Sequence, residues 1–238
     1  MTHPNNIQLA IKLNNQAAAL IGNGQFESSF PALTSALKMS KNDLVDFTDH
    51  EEDPNAAHMK QTSLDECMLA TSSVQEDEQD ELSDNAVDQG FYIYNRAIHL
   101  PALSIEDTSY HTSVMVSVVA IFNLALAHHL TAVEQNNALL LRKAAKLYEL
   151  AHNMQSEEEW MENTSLFTMA IINNLGLIYR CLDERETSGK CFQHLLSTLM
   201  FFTDCGLDEN QRDVPAFAGF FRNTSNLIFQ CSSSAAAA

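Results

Sequence analysis

Hydrophobic residues recur at spacings of three and four along most of the chain, which is the pattern of helices with one buried face. The first such stripe covers residues 5–21 and is closed by Gly22-Asn23-Gly24, a sequence typical of a turn. A second stripe begins at Phe26 and continues through Leu37. Together the two stripes predict an antiparallel helical hairpin over residues 5–41.

The second half of the chain carries further helical patterns. Residues 114–131 are apolar nearly all round and predict a central helix, whereas residues 139–154 have one apolar face and predict an outer helix. Ser156 followed by Glu159 has the spacing of a capping box, so the next helix is expected to begin there. Two more helices are expected to begin near Asp183 and Asp213. The patterns therefore predict an all-α protein with about seven helices.

Between these regions the hydrophobic period disappears over residues 42–90. Residues 43–88 hold fifteen acidic residues against Lys60 alone, a charge of -14 that leaves only -4 of the total of -18 for the rest. Such a composition buries too little apolar surface to offset chain entropy, so we expect a long disordered acidic insert. Leu64, Met68 and Leu69 either do nothing alone, which is the favoured interpretation, or form a transient helical turn. The insert is a linker by default. A sharper hypothesis is that it mimics a partner and folds back over a binding groove as an inhibitor.

Residues 91–100 are apolar, partly alternating, and followed by Pro101. This pattern favours an extended segment laid against the helices over a free helix. We therefore expect residues 91–231 to form a helical domain that ends in a capping helix, followed by a disordered tail at 232–238.

Charge and composition exclude several classes of partner. Nucleic-acid binding rests on clustered Lys and Arg, which the chain lacks, and anionic membrane surfaces are disfavoured for the same reason. The longest apolar stretch, residues 114–127, is shorter than the roughly 20 residues that a bilayer requires. The chain shows no secretory signal, and its five Cys without a C-x-x-C pair fit reduced thiols. An intracellular protein, cytoplasmic or nuclear, is expected.

No sequence feature indicates catalysis. The chain has no Gly-rich phosphate loop, no nucleophile signature and no H-E-x-x-H pattern. His128 and His129 are adjacent on a predicted helix, so they point about 100° apart and cannot bind one metal ion together. We expect no enzyme activity, no catalytic residue, no cofactor and no metal site.

Three stretches have small and bulky residues at similar spacings, which in the repeat that they resemble lie at the crossing of two helices and in the space between them, respectively. They comprise Ala17, Leu20, Gly24, Phe26, Ser29, Leu33 and Ala36; Leu124, Ala125, His128, Ala144, Tyr148 and Ala151; and Leu175, Gly176, Tyr179, Ser188, Phe192 and Leu195. In this spacing the chain resembles the tetratricopeptide repeat, a helical hairpin of about 34 residues. One stretch has Asp183 where the repeat has its turn Gly, and another is longer, which predicts an insertion near residues 133–139. The resemblance implies an irregular stack of tetratricopeptide-like hairpins.

Asn15, Asn123 and Asn174 occupy the same position in the three repeats. The resemblance implies that this position lies on a concave face, where an Asn amide can donate to and accept from the backbone of an extended peptide. The alternative is that each Asn bonds a neighbouring helix or water. We predict a protein–protein interaction adaptor that holds a partner protein or peptide segment in a helical-repeat groove, with these three residues binding the peptide. The alternative function is a structural subunit of a homo- or hetero-oligomeric assembly, and the sequence leaves the oligomeric state open.

Overall fold

The computed structural model describes residues 4–48, 63–75, 91–102, 109–158, 161, 164–204 and 216–225. All regular secondary structure in these residues is helical, which confirms the all-α fold class. The helices are α1 (Pro4–Gly22), α2 (Phe26–Thr48), α3 (Leu64–Gln75), α4 (Tyr110–Gln135), α5 (Ala138–Glu157), α6 (Ser165–Cys181), α7 (Arg185–Asp204) and α8 (216–225). These eight described helices exceed the predicted number by one, and the additional helix is α3.

The helices belong to two compact units. Unit 1 comprises Met1–Thr71 and Arg96–Thr164, and unit 2 comprises Ser72–Asn95 and Ser165–Ala238. Within unit 1, α1 packs on α2, α2 on α4, and α4 on α5. Within unit 2, α6 packs on α7. Residues 91–100 therefore contribute their first half to unit 2 and their second half to unit 1.

The three helical hairpins α1–α2, α4–α5 and α6–α7 turn in the same way. Each first helix is followed, within two residues, by a residue with left-handed backbone: Gly24 (φ 72°), Asn136 (φ 49°) and Asp183 (φ 60°). The residue after it donates its backbone N–H to the carbonyl oxygen five positions earlier, at 2.8–2.9 Å. This arrangement satisfies carbonyls that the helix end leaves without partners. Asp183 thus takes the conformation of the turn Gly that its hairpin lacks.

Two predicted boundaries in this region are wrong. The expected insertion at 133–139 is not a loop, because α4 continues to Gln135 and α5 begins at Ala138, so the extra residues lengthen the helices. The capping-box sequence at Ser156 does not start a helix. Its hydroxyl instead donates to the carbonyl of Asn153 at 3.0 Å within the last turn of α5, and the next helix begins at Ser165.

Two parts of the range predicted to be disordered, residues 42–90, are helical. Helix α2 runs on to Thr48, and α3 covers Leu64–Gln75. Ser63 and Glu66 form a reciprocal capping box, in which the backbone N–H of each donates to the side chain of the other at 3.1–3.2 Å. Leu64, Cys67 and Met68 are buried, so this short stretch has the apolar face that the average composition concealed. Residues 49–62 and 76–90 lie outside the described residues, as do 213–215 and the tail.

Helix α4 is the central helix that its sequence predicts. By length and composition alone it is apolar enough to cross a membrane, but 94% of its apolar window is buried inside the protein. Ser117 is one of its polar residues that find partners internally, since its hydroxyl oxygen lies 2.9 Å from both the Ser113 carbonyl oxygen and the Ser40 hydroxyl oxygen. A core helix of a helical protein has these properties.

Candidate functional site

Residues 91–100 form a segment outside any helix or strand, as the sequence predicts. Asn side chains of unit 2 bind its first half, and Asn side chains of unit 1 bind its second half. We call an Asn a clamp when its carboxamide accepts from the backbone N–H and donates to the backbone C=O of the same segment residue. Each unit contains two clamps and one linking Asn, which together make up its clamp site.

The clamp site of unit 1 is built by α1 and α4. Asn123 accepts from the N–H of Ile98 at 2.8 Å and donates to its carbonyl at 2.9 Å. Asn15 does the same with Leu100, at 2.8 and 2.7 Å. Asn14 links the two clamps: it donates to the carbonyl of Ile98 at 3.0 Å and to Asn15 Oδ1 at 3.2 Å, and it accepts from Asn123 at 2.9 Å.

The clamp site of unit 2 is built by α6 and α8. Asn223 accepts from the N–H of Tyr92 at 2.8 Å and donates to its carbonyl at 2.7 Å. Asn174 binds Tyr94 in the same manner, at 3.0 and 2.9 Å. Asn173 is the linking residue: it donates to the Tyr92 carbonyl at 3.0 Å and to Asn174 Oδ1 at 3.1 Å, and it accepts from Asn223 at 2.6 Å.

The two clamp sites have the same hydrogen-bond pattern. In each, a pair of consecutive Asn residues lies on one helix and a single Asn lies on another. The single Asn clamps the first bound residue, and the second Asn of the pair clamps the residue two positions later. The linking Asn bonds the same carbonyl as the single Asn in both units. The two units thus bind the backbone of the segment through the same pattern of hydrogen bonds, although the side chains of the bound residues differ.

The spacing of the clamped residues follows from extended backbone geometry. In an extended chain the N–H and C=O of one residue point to the same side, and those of the next residue point to the other side. All four clamped residues have even numbers, so each clamp meets the same edge of the backbone. A carboxamide carries the donor and the acceptor that a residue of a neighbouring strand would offer, and the clamps therefore act like a strand edge.

The network in unit 1 uses the hydrogen-bonding capacity of its buried amides. Both donor hydrogens of Asn123 are used, by the Ile98 carbonyl and by Asn14 Oδ1, and its oxygen accepts from the Ile98 N–H. Asn14 and Asn123 are fully buried. An unsatisfied buried amide costs about 1–3 kcal/mol. The site is therefore more stable with the segment bound than with these amides left without partners.

Side chains of the segment fill apolar positions in both units. In unit 1, Ala97, Ile98 and Leu100 are buried. In unit 2, Tyr94 is buried, and its ring stacks on Phe220 with centroids 6.3 Å apart. The segment is thus held by its backbone and by these buried side chains.

The three predicted peptide-binding residues all contact this segment. Asn15 and Asn123 lie together in unit 1, and Asn174 lies in unit 2. All three bond the backbone of the segment, and Asn123 also donates to Asn14 on the neighbouring helix α1. The structure shows this for the chain's own segment; binding of a partner segment stays a prediction.

Sequence reasoning missed Asn14, Asn173 and Asn223 as binding residues. The signal for the first two was the doublet Asn-Asn, which occurs at 14–15 and again at 173–174. The signal for Asn223 was only its position on a short helix rich in aromatic residues, where its side chain is buried. A buried amide on an apolar helix face needs a partner, and that requirement was the available signal.

The buried histidines of unit 1 behave as aromatic residues. His128 stacks on Phe30 with centroids 4.2 Å apart, and burial, together with the charge of Lys143, lowers its pKa to about 4. Burial also lowers the pKa of His129 to about 4, and this ring meets Tyr148 edge-on. Both rings are neutral at physiological pH. In the part of the chain that the structure describes, no group of three or more His, Cys, Asp or Glu residues is placed to hold a metal ion.

The fold and the clamp sites define an all-helical protein whose Asn side chains hold an extended stretch of its own backbone. No family model, no curated protein and no solved structure matches the chain. The likeness to tetratricopeptide repeats therefore stays a prediction.

Proposed function

We propose that this protein is a protein–protein interaction adaptor that binds extended segments of a partner at its two clamp sites. The observation that supports this function is the set of four clamps, each of which binds the N–H and C=O of one extended residue. Main-chain recognition of this kind is a general way to hold a peptide, because every peptide offers the same backbone groups.

The clamps do not require that their ligand be part of the same chain. All their bonds to the segment go to backbone atoms, which a partner segment also carries. Residues 91–100 are then an internal occupant with which a partner competes. Because the segment is tethered, its effective concentration at the clamps is on the order of millimolar. A partner segment must therefore bind the clamps more tightly than the resident segment in order to displace it.

The roles of the Asn residues follow from their bonds. Asn15, Asn123, Asn174 and Asn223 bind the ligand backbone and fix its register. Loss of a clamp removes two bonds to the ligand at roughly 1 kcal/mol each, so affinity is expected to fall about thirtyfold.

The test uses the full chain with one protease site placed within residues 76–90 and another within 103–108. After both cuts, residues 91–102 are held only by non-covalent contacts. A fluorescent synthetic peptide of residues 91–102 is then added, and its exchange into the protein is followed by anisotropy. We expect reversible binding that is weakened by Asn123→Ala and by Asn174→Ala.

Asn153→Ala is the matched control, because Asn153 is exposed on α5 and has no role at either clamp site. It should leave the affinity unchanged. If the peptide exchanges only when the helices unfold, as followed by circular dichroism, the segment is a fixed structural element and the proposal is wrong. Stable oligomers of the intact chain in sedimentation would then favour the alternative, a structural subunit of an assembly.

A further inference from the structure

We infer that the clamp site of unit 2 selects partner segments with the pattern aromatic-aromatic-x-aromatic, and that Gly219 is the residue that determines this specificity. The inference rests on the proposed function, since it names the class of peptide that the site accepts. The pattern is that of Phe91, Tyr92 and Tyr94 in the resident segment.

The strongest observation concerns Gly219 on α8 and the ring of Tyr92. A Cβ built on Gly219 would overlap the Tyr92 ring, so any other residue here would close the space that the ring occupies. Gly219 is an interior position of a helix, where Gly is less favourable than Ala by about 1 kcal/mol. Gly219 is thus an unfavourable residue for a helix, and it stands where any side chain would collide with the bound Tyr92 ring.

The other two aromatic positions also have their own contacts. Phe220 meets both tyrosines, the Tyr92 ring edge-on at 5.7 Å and the Tyr94 ring stacked at 6.3 Å between centroids. The guanidinium of Arg180 lies 4.0 Å from the centroid of the Phe91 ring, a cation–π contact. Each aromatic residue of the segment therefore has a partner in unit 2 that suits an aromatic ring.

Unit 1 shows that the clamps alone do not demand aromatic residues. Its clamp site binds Ile98 and Leu100 through the same pattern of bonds. The difference between the two sites lies in the side chains around the clamped residues. Selectivity in unit 2 is thus assigned to Gly219, Phe220 and Arg180 rather than to the Asn residues.

The experiment uses the doubly cut full chain and compares the peptide of residues 91–102 with its Tyr92→Ala and Tyr94→Ala forms. In the unchanged protein, loss of either buried or half-buried ring is expected to weaken binding about tenfold or more. In the Gly219→Ala protein, the peptide with Tyr92 should lose about tenfold, whereas the Tyr92→Ala peptide should bind no worse than it does to the unchanged protein. The preference for Tyr at this position should disappear.

Gly189→Ala is the matched control. Gly189 lies on α7 in the same unit, and a Cβ built on it would meet no atom within 4 Å. This variant should keep the preference for Tyr92. Circular dichroism of each variant reports whether the helices are intact, and the peptide comparison in the unchanged protein remains decisive if Gly219→Ala does not fold.

The outcomes separate the inference from the function on which it rests. Exchange of no peptide at all contradicts the proposed function. Two other results leave the function standing and overturn the aromatic specificity. One is exchange of all three peptides with equal affinity, and the other is that Gly219→Ala weakens binding of the unchanged peptide and of its Tyr92→Ala form equally.

Discussion

Replacement of Asn123 by Leu removes a buried amide while keeping its approximate volume. Three hydrogen bonds are lost: from the Ile98 N–H at 2.8 Å, to the Ile98 carbonyl at 2.9 Å, and to Asn14 Oδ1 at 2.9 Å. The Ile98 carbonyl keeps the donor of Asn14 at 3.0 Å, so the Ile98 N–H and Asn14 Oδ1 are the groups left without these partners. Two of these bonds go to the segment, so at about 1 kcal/mol for each the variant should lose about 2 kcal/mol in the free energy that holds the segment.

Amide hydrogen exchange measured by NMR tests this value at the site itself. A loss of about 2 kcal/mol corresponds to roughly thirtyfold faster exchange of the Ile98 amide. Asn15→Leu also removes two bonds to the segment and one to Asn14, but its effect on the Ile98 amide should be smaller, because Asn15 is only partly buried and its bonds go to Leu100. Asn153→Leu on the exposed face of α5 is the control and should leave the Ile98 exchange rate unchanged. If Asn123→Leu has no more effect than this control, the clamp is not what holds the segment.

Three further predictions follow from other positions. The pKa of His129 is lowered from 6.5 to about 4 in the folded protein, so its contribution to stability should be complete above pH 6.5 and fall towards pH 4 by at most roughly 3 kcal/mol. Because His128 contributes in the same direction, His129→Phe should reduce this pH dependence in urea unfolding without abolishing it. Gly176→Ala places a Cβ 2.9 Å from the Phe192 ring and should destabilise unit 2 by about 1–3 kcal/mol in thermal unfolding, whereas Gly189→Ala should not. Ser63→Ala removes the cap of α3 and should cost about 1 kcal/mol, seen as faster amide exchange in that helix alone.

The position of the bound segment also bears on the acidic insert. One hypothesis from the sequence was that this insert folds back over the binding groove as an inhibitor. Among the described residues, the part of the chain held at the clamp sites is instead the adjoining apolar segment 91–100. Its aromatic and aliphatic side chains fit buried positions that carboxylates would enter only at a large desolvation cost.

Local patterns in the sequence were sufficient for most of the helices and for the segment 91–100, but not for α3. Spacings of three and four placed α1, α2 and α4, because burial of one face follows from residues that are near in sequence. The Gly24 turn was predicted for the same reason. The errors arose where a local signal had competing uses, as at Ser156, whose hydroxyl bonds inside α5 rather than starting a helix.

The sequence by itself also indicated the segment 91–100 and three of the six Asn residues of the candidate site, but it did not join them. Asn15 and Leu100 are 85 positions apart, and Asn223 and Tyr92 are 131 apart. No periodicity relates residues at such separations, and a backbone N–H carries no side-chain signature that a sequence pattern could detect. Only the tertiary structure decided that these amides bind this backbone, because packing of the helices places Asn carboxamides two residues apart along one edge of an extended chain.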